Sequence, residues 1–110
     1  MDIPMVGDPQ WERLVLSESR PVLVEFWSTS CAVCQTVEPR LKALAAEYRD
    51  RVAFFRVNVK EEEDLVWAYE VMSTPTFIAF RDSEPVGALA GDVDVTELGN
   101  LIEDALAGGP

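Results

Sequence analysis

The chain has 110 residues, 48% of them hydrophobic, and a formal net charge of −11 from 20 acidic against 9 basic residues. Its length and apolar content suit one domain, residues 1–110, with a single core, and its acidic balance argues against nucleic acid or a membrane surface as partner. Histidine is absent, which removes Ser-His and Cys-His catalysis and leaves thiols and carboxylates as the available chemistry.

No apolar run approaches the roughly 18 residues needed to cross a bilayer. Met1 to Gln10 has neither a basic start nor an apolar h-region, so a cytoplasmic location is the default expectation. Residues 1–8 form an N-terminal extension or a short edge strand around Ile3 to Val6, and Gly7-Asp8-Pro9 reads as a turn. From Pro9 to about Ser19, Trp11, Leu14 and Val15 recur at helical spacing, with Asp8 as N-cap. Val22 to Trp27 is apolar at every position except Glu25, the pattern of a central strand covered on both faces. Ser28-Thr29-Ser30 then ends the strand, and a helical pattern starts with Cys31 and Cys34 on its first turn.

Val37, Leu41, Leu44, Ala45 and Tyr48 continue that helix to Arg49 or Asp50, and Pro39 either bends it or divides it in two. Val52 to Val59 is a second central strand. The acids of Lys60 to Asp64 suit a helix N-terminus, and Leu65, Val66 and Tyr69 carry the helix to about Val71. Ser73-Thr74-Pro75 breaks the pattern before a strand at Thr76 to Arg81, a turn at Asp82 to Pro85 and a hairpin strand at Val86 to Ala90. Gly91 marks a bulge or a close backbone approach. Asp94 and Glu97 form a capping box for a last helix with Val95, Leu98, Leu101, Ile102 and Ala105 on its buried stripe, ended by Gly108-Gly109-Pro110. Trp11 and Trp67 read as core residues, and Met72 either flanks a groove or fills a gap under the loop. The class is α/β, a central mixed β-sheet flanked by helices on both faces.

Two cysteines spaced C-x-x-C have three readings: a redox pair, half a metal site or a structural bridge. Zinc needs about four ligands, so two sulfurs without imidazole suffice only for a site shared between two chains. A bridge over two intervening residues closes too short a loop to stabilise the fold much. Redox chemistry makes the fullest use of the pair, because the unpaired N–H groups at a helix start stabilise a thiolate at Cys31.

The run Val24-Glu25-Phe26-Trp27-Ser28-Thr29-Ser30-Cys31-Ala32-Val33-Cys34, followed by Pro39, Arg56 to Val59, Ser73-Thr74-Pro75-Thr76-Phe77 and Gly91, resembles the thioredoxin family over roughly residues 9–107. That resemblance implies a thioredoxin fold and a thiol:disulfide oxidoreductase. Cys31 resembles the attacking thiol, Cys34 the resolving thiol and Pro75 the cis-proline facing them. Thr74 and Gly91 would line the groove for an extended substrate backbone, with Trp27 and Ser30 beside it. The implied partners are protein disulfides and an upstream thiol reductase, the implied state is a monomer, and no cofactor is implied beyond the Cys31-Cys34 disulfide.

Glu25 falls where the family places a buried aspartate that deprotonates the resolving thiol. Burial should raise its pKa, with Arg56 moderating the shift, unless the side chain reaches solvent from the strand end. Asp92 is expected to bring negative charge near the groove. The departures are Ala32-Val33 where thioredoxins have Gly-Pro and Ser30 where they have tryptophan. They leave a second reading, a thioredoxin-like binding module with a dedicated partner. A thiol at the thioredoxin pKa of about 7 is roughly half ionised at neutral pH, against about 3% for a free thiol. Lower nucleophilicity returns about fivefold of that fifteenfold gain, so positioning must supply the rest.

Overall fold

A computed structural model describes residues 2–108. Four strands, β1 (Val22–Trp27), β2 (Ala53–Asn58), β3 (Thr76–Arg81) and β4 (Glu84–Ala90), form one sheet in the order β2-β1-β3-β4. β1 runs parallel to β2 and antiparallel to β3, and β3 is antiparallel to β4. The apolar density of β1 follows from this central place, since both of its faces are covered. Leu23 packs with Phe54, Phe77 and Ala79 on one face, while Val22, Val24 and Phe26 pack with Val57, Ile78 and Phe80 on the other.

Each face has its helices. α2 (Ala32–Tyr48) and α4 (Val95–Leu106) cover the Leu23 face through Val37, Leu41, Leu44, Leu98 and Ile102. The Tyr48 hydroxyl donates to the Glu103 carboxylate and ties the two helices together. Across the sheet lie α1 (Asp8–Trp11), which widens into a π-helical segment at Glu12–Leu16, and α3 (Glu63–Ala68). Trp11, Phe26, Tyr69 and Phe80 form an aromatic cluster there, and Trp11 Nε1 donates to the Tyr69 hydroxyl at 3.0 Å. The core assignment of Trp11 holds at 5% exposure.

Several boundaries differ from the sequence reading. The first helix ends at Leu16 and begins with Asp8 itself after an N-cap at Gly7. Its first N–H is satisfied from elsewhere in the chain: Glu62 Oε1 accepts from Asp8 N at 2.8 Å, and a Cβ on Gly7 would lie 2.7 Å from Glu62 Oε2. α2 runs unbroken through Pro39, because Val37, Leu41 and Leu44 hold both halves on the sheet while Pro39 faces outward. The last two residues, Gly109 and Pro110, lie outside the described residues.

At the N-terminal edge, Met5 makes one parallel bridge to Arg56, with Val6 N donating to Arg56 O at 2.9 Å and Arg56 N to Pro4 O at 3.0 Å. The short edge strand suggested for Ile3 to Val6 is therefore reduced to a single bridge at Met5. The β3–β4 turn is confined to Asp82 and Ser83, both with positive φ, so β4 starts at Glu84 and includes Pro85. Pro85 is tolerated because β4 is an edge strand.

Two apolar assignments fail. Trp67 is 82% exposed, since α3 spans six residues and turns its buried Leu65 to the sheet. A residue two positions on points about 200° away around the helix. Val95 is 45% exposed at the first position of α4, so the buried stripe begins at Leu98. Met72 is 92% exposed and fills no gap under the loop. The capping box of α4 forms as read, with Glu97 N donating to Asp94 Oδ1 at 2.8 Å. Among the described residues no helix is long and apolar enough to cross a membrane.

Candidate functional site: a disulfide at a helix N-terminus

Buried on both faces, β1 delivers the chain at Trp27 to a short loop that leads straight into α2. Ser28 is buried and its carbonyl accepts from Cys31 N at 3.3 Å, which turns the backbone into the helix. Cys31 occupies the N-cap, and its sulfur accepts from Cys34 N at 3.1 Å. A thiolate at that atom would keep the same donor and gain the positive end of the helix dipole, a contribution of about 0.3 to 1 kcal/mol. A disulfide joins Cys31 and Cys34, with their Cα atoms 5.3 Å apart. The two sulfurs have unequal access: Cys31 is partly exposed, whereas Cys34 is 2% exposed on the stripe that α2 turns to the sheet. Sulfur chemistry with an outside partner must begin at Cys31.

Three further segments converge on this end of the sheet. The register pairs Phe26 with Thr76, so the cis Thr74–Pro75 bond lies just beyond the β3 end that flanks Trp27. Pro75 is buried and Thr74 half-buried. Gly91 N donates to Pro75 O at 3.0 Å, and Gly91 adopts φ +90°, a left-handed conformation open to glycine at little cost. On the other side of β1, Val59 N donates to Trp27 O at 2.9 Å.

Glu25 stands opposite Arg56 in the parallel register and is fully buried. Arg56 Nε donates to Glu25 Oε1 at 3.0 Å, while Glu25 Oε2 has no partner. The strand end therefore does not carry this carboxyl to solvent. Burial pushes its pKa up, opposed by the attraction and hydrogen bond of Arg56, with a small further rise from the Glu38 charge. Arg56 also approaches Glu38 Oε1 at 3.8 Å and stacks over the Trp27 ring at 4.3 Å. Trp27 is thus half-buried with one ring face covered, and its Nε1 is buried without a partner.

Two charges near the site read differently in three dimensions. Asp92 accepts from Arg40 Nη1 at 2.6 Å, so the negative charge expected near the groove is compensated. Lys60, hidden in sequence within an acidic run, donates from Nζ to Ser30 Oγ at 2.8 Å, one residue from Cys31. Among the described residues Lys60 has no ion-pair partner. The signal that would have revealed it is the parallel β1–β2 register, which carries the residues after Asn58 past the loop after Trp27. Lys60→Glu is expected to slow attack by Cys31 about two- to fivefold at low salt, an effect that shrinks as salt screens the charge. Stopped-flow rates with a small uncharged disulfide at two ionic strengths check this.

The thioredoxin family model matches residues 2–104. The chain belongs to the thioredoxin family. It is 35% identical over 106 residues to thioredoxin of Staphylococcus aureus, covering 96% of this chain and 100% of that one. Thioredoxin 1 of Synechococcus elongatus is 35% identical over 101 residues, with 92% of this chain and 94% of that one covered. The M-type chloroplastic thioredoxin of Brassica napus is 36% identical over 104 residues. Against the chloroplastic relatives that match it, the chain spans little more than half their length, 59% for the Brassica protein. A crystal structure of the thioredoxin of Malassezia sympodialis superposes with a TM-score of 0.86 at 21% identity, covering 96% of this chain and 91% of that one, which establishes the thioredoxin fold. Thioredoxins work through their cysteine pair without a cofactor, and among the described residues no group of three or more His, Cys, Asp or Glu side chains is arranged to hold a metal ion.

Proposed function

We propose that this thioredoxin reduces protein disulfides by dithiol–disulfide exchange. The observation that carries the reading is the unequal access of a linked pair, Cys31 partly exposed at a helix N-cap and Cys34 buried behind it. The Cys31 thiolate attacks one substrate sulfur, a mixed disulfide forms, and the other substrate sulfur leaves as a thiolate that takes up a proton. Cys34 then loses its proton and attacks Cys31 Sγ; the second substrate sulfur leaves, and the Cys31–Cys34 disulfide remains. The substrate gains two electrons and the protein dithiol loses them.

Glu25 is the acid–base group for Cys34 in this reading, since burial raises its pKa above the ordinary carboxyl value and its second oxygen is free to accept a proton. Thr74, Pro75 and Gly91 receive the substrate backbone, with Trp27 and Ser30 bordering it. An upstream thiol reductase restores the dithiol. A reducing, cytoplasmic setting favours the reductive direction.

Exposed Ala32 and Val33 between the cysteines, together with Ser30 before them, favour a second reading as a binding module with a dedicated partner. Reduction of a generic protein disulfide by dithiothreitol separates the two. The wild-type protein should accelerate it clearly and catalytically. Absence of acceleration, with partner binding insensitive to loss of both cysteines, would favour the module.

A further inference from the structure

The two most exposed large apolar side chains among the described residues are Trp67, at 82%, and Met72, at 92%. Both line a concavity of about 350 Å³ with Val59, Val66 and Thr74, and Glu63 at its rim. A second concavity of about 370 Å³ shares Val66, Trp67, Val71 and Met72 and adds Glu70. Together they make one apolar trough astride Trp67 and Met72. Exposed aromatic and thioether groups this concentrated mark a binding surface more often than a solvated face.

Its position says what it meets. Val59 is hydrogen-bonded to the Trp27 carbonyl on one side of β1, and Thr74 precedes the cis-proline on the other. The trough therefore opens where β1 hands the chain to Cys31. A polypeptide presenting its disulfide to Cys31 along the Pro75 edge would extend toward it. Charge says what kind of polypeptide. Glu63 and Glu70 line the trough, no Lys or Arg does so among the described residues, and neither carboxylate is ion-paired there. A second copy of this chain, with its net charge of −11, is repelled by that surface.

We infer that the trough is a docking subsite for a basic segment flanking the substrate disulfide, seating one aromatic or large aliphatic side chain against Trp67 and Met72, with a neighbouring Lys or Arg against Glu63 or Glu70. The inference rests on the reading of Cys31 as the attacking thiol. Aromatic anchors in such pockets carry a disproportionate share of binding. Discrimination in kcat/KM of about ten- to thirtyfold is expected from one well-seated residue.

The test uses synthetic peptides with one intramolecular disulfide, flanked on either side by Arg-Phe-Lys, Glu-Phe-Glu or Gly-Ser-Gly, with dithiothreitol as reductant. Bis(2-hydroxyethyl) disulfide, which has no flanking chain, is the control. The wild-type protein should reduce the Arg-Phe-Lys peptide about ten- to thirtyfold more efficiently than the Gly-Ser-Gly peptide, and more efficiently than the Glu-Phe-Glu peptide. The combined Trp67→Ala and Met72→Ala variant should lose that preference while its rate on the small disulfide stays unchanged. Both side chains are exposed, so the fold tolerates their truncation. Equal rates on all three peptides, a preference that survives the double variant, a preference for the acidic peptide, or a dimer in sedimentation that Trp67→Ala dissolves would overturn the inference while leaving the reductase reading intact. Failure of the wild-type protein to reduce even the small disulfide would overturn both.

Discussion

Serine at position 31 is expected to bring disulfide reduction down to the uncatalysed rate, because the only partly exposed sulfur of the pair is then gone and buried Cys34 cannot meet a protein disulfide. Cys34→Ser has a different signature. Attack by Cys31 still forms the mixed disulfide, but no internal thiol resolves it, so substrate should accumulate covalently bound to Cys31 and be released by added dithiothreitol. Non-reducing electrophoresis after mixing with a disulfide-bonded protein distinguishes the two variants. Retained turnover in Cys31→Ser would reverse the assigned roles.

The largest expected effect on stability belongs to Arg56. Its guanidinium holds the fully buried Glu25 carboxylate at 3.0 Å and covers Trp27. Removing one partner of such a pair strands a buried charge and typically costs about 3 to 5 kcal/mol. For Arg56→Met, thermal unfolding near neutral pH should fall by more than about ten degrees. The loss should depend on pH in a definite sense. Burial raises the pKa of Glu25 above its ordinary value of 4.5. Between that value and its own higher one, the native state keeps a proton that the unfolded chain has released, so this group's contribution to stability diminishes as pH rises through the window. Loss of Arg56 removes the force that opposes the rise and widens the window upward. Arg56→Met should therefore be least damaging below pH about 4, where Glu25 is mostly protonated folded or unfolded, and most damaging above neutrality. Adding Glu25→Gln should flatten the pH profile and recover part of the loss. A deficit equal at acidic and alkaline pH would mean that Arg56 acts through packing alone.

Much of the molecule was legible along the chain. The unbroken apolar run before the cysteines reads as a doubly covered strand because a central strand has no solvent face to mark with polar residues, and β1 is that strand. Glu25 is conspicuous in that run for the same reason, but that it is buried against Arg56 and does not reach solvent from the strand end follows from the β1–β2 register. The helix start at Ala32 and the Asp94 capping box depend on hydrogen bonds across three or four residues, so local sequence contains both partners.

Trp67, Asp92 and Lys60 were not legible in this way. Periodicity assigns a tryptophan in a helix to the core, but α3 is too short to bury more than one narrow stripe. Asp92 and Arg40 are 52 residues apart, and Lys60 and Ser30 are 30 apart. Each pairing joins segments remote in sequence, and no local pattern predicts it.

The α/β order of elements, the cysteine pair at a helix N-terminus and the lone carboxylate in an apolar strand are readable along the chain, because each is set by interactions within a strand, a turn or one helical turn. The burial of Glu25 against Arg56, the charges around the site, the exposure of Trp67 and Met72 beside it and the capping by Glu62 of a helix begun 54 residues earlier arise from the three-dimensional fold. Those outcomes depend on strand order and register, which bring distant segments together through packing that the chain's local pattern does not encode.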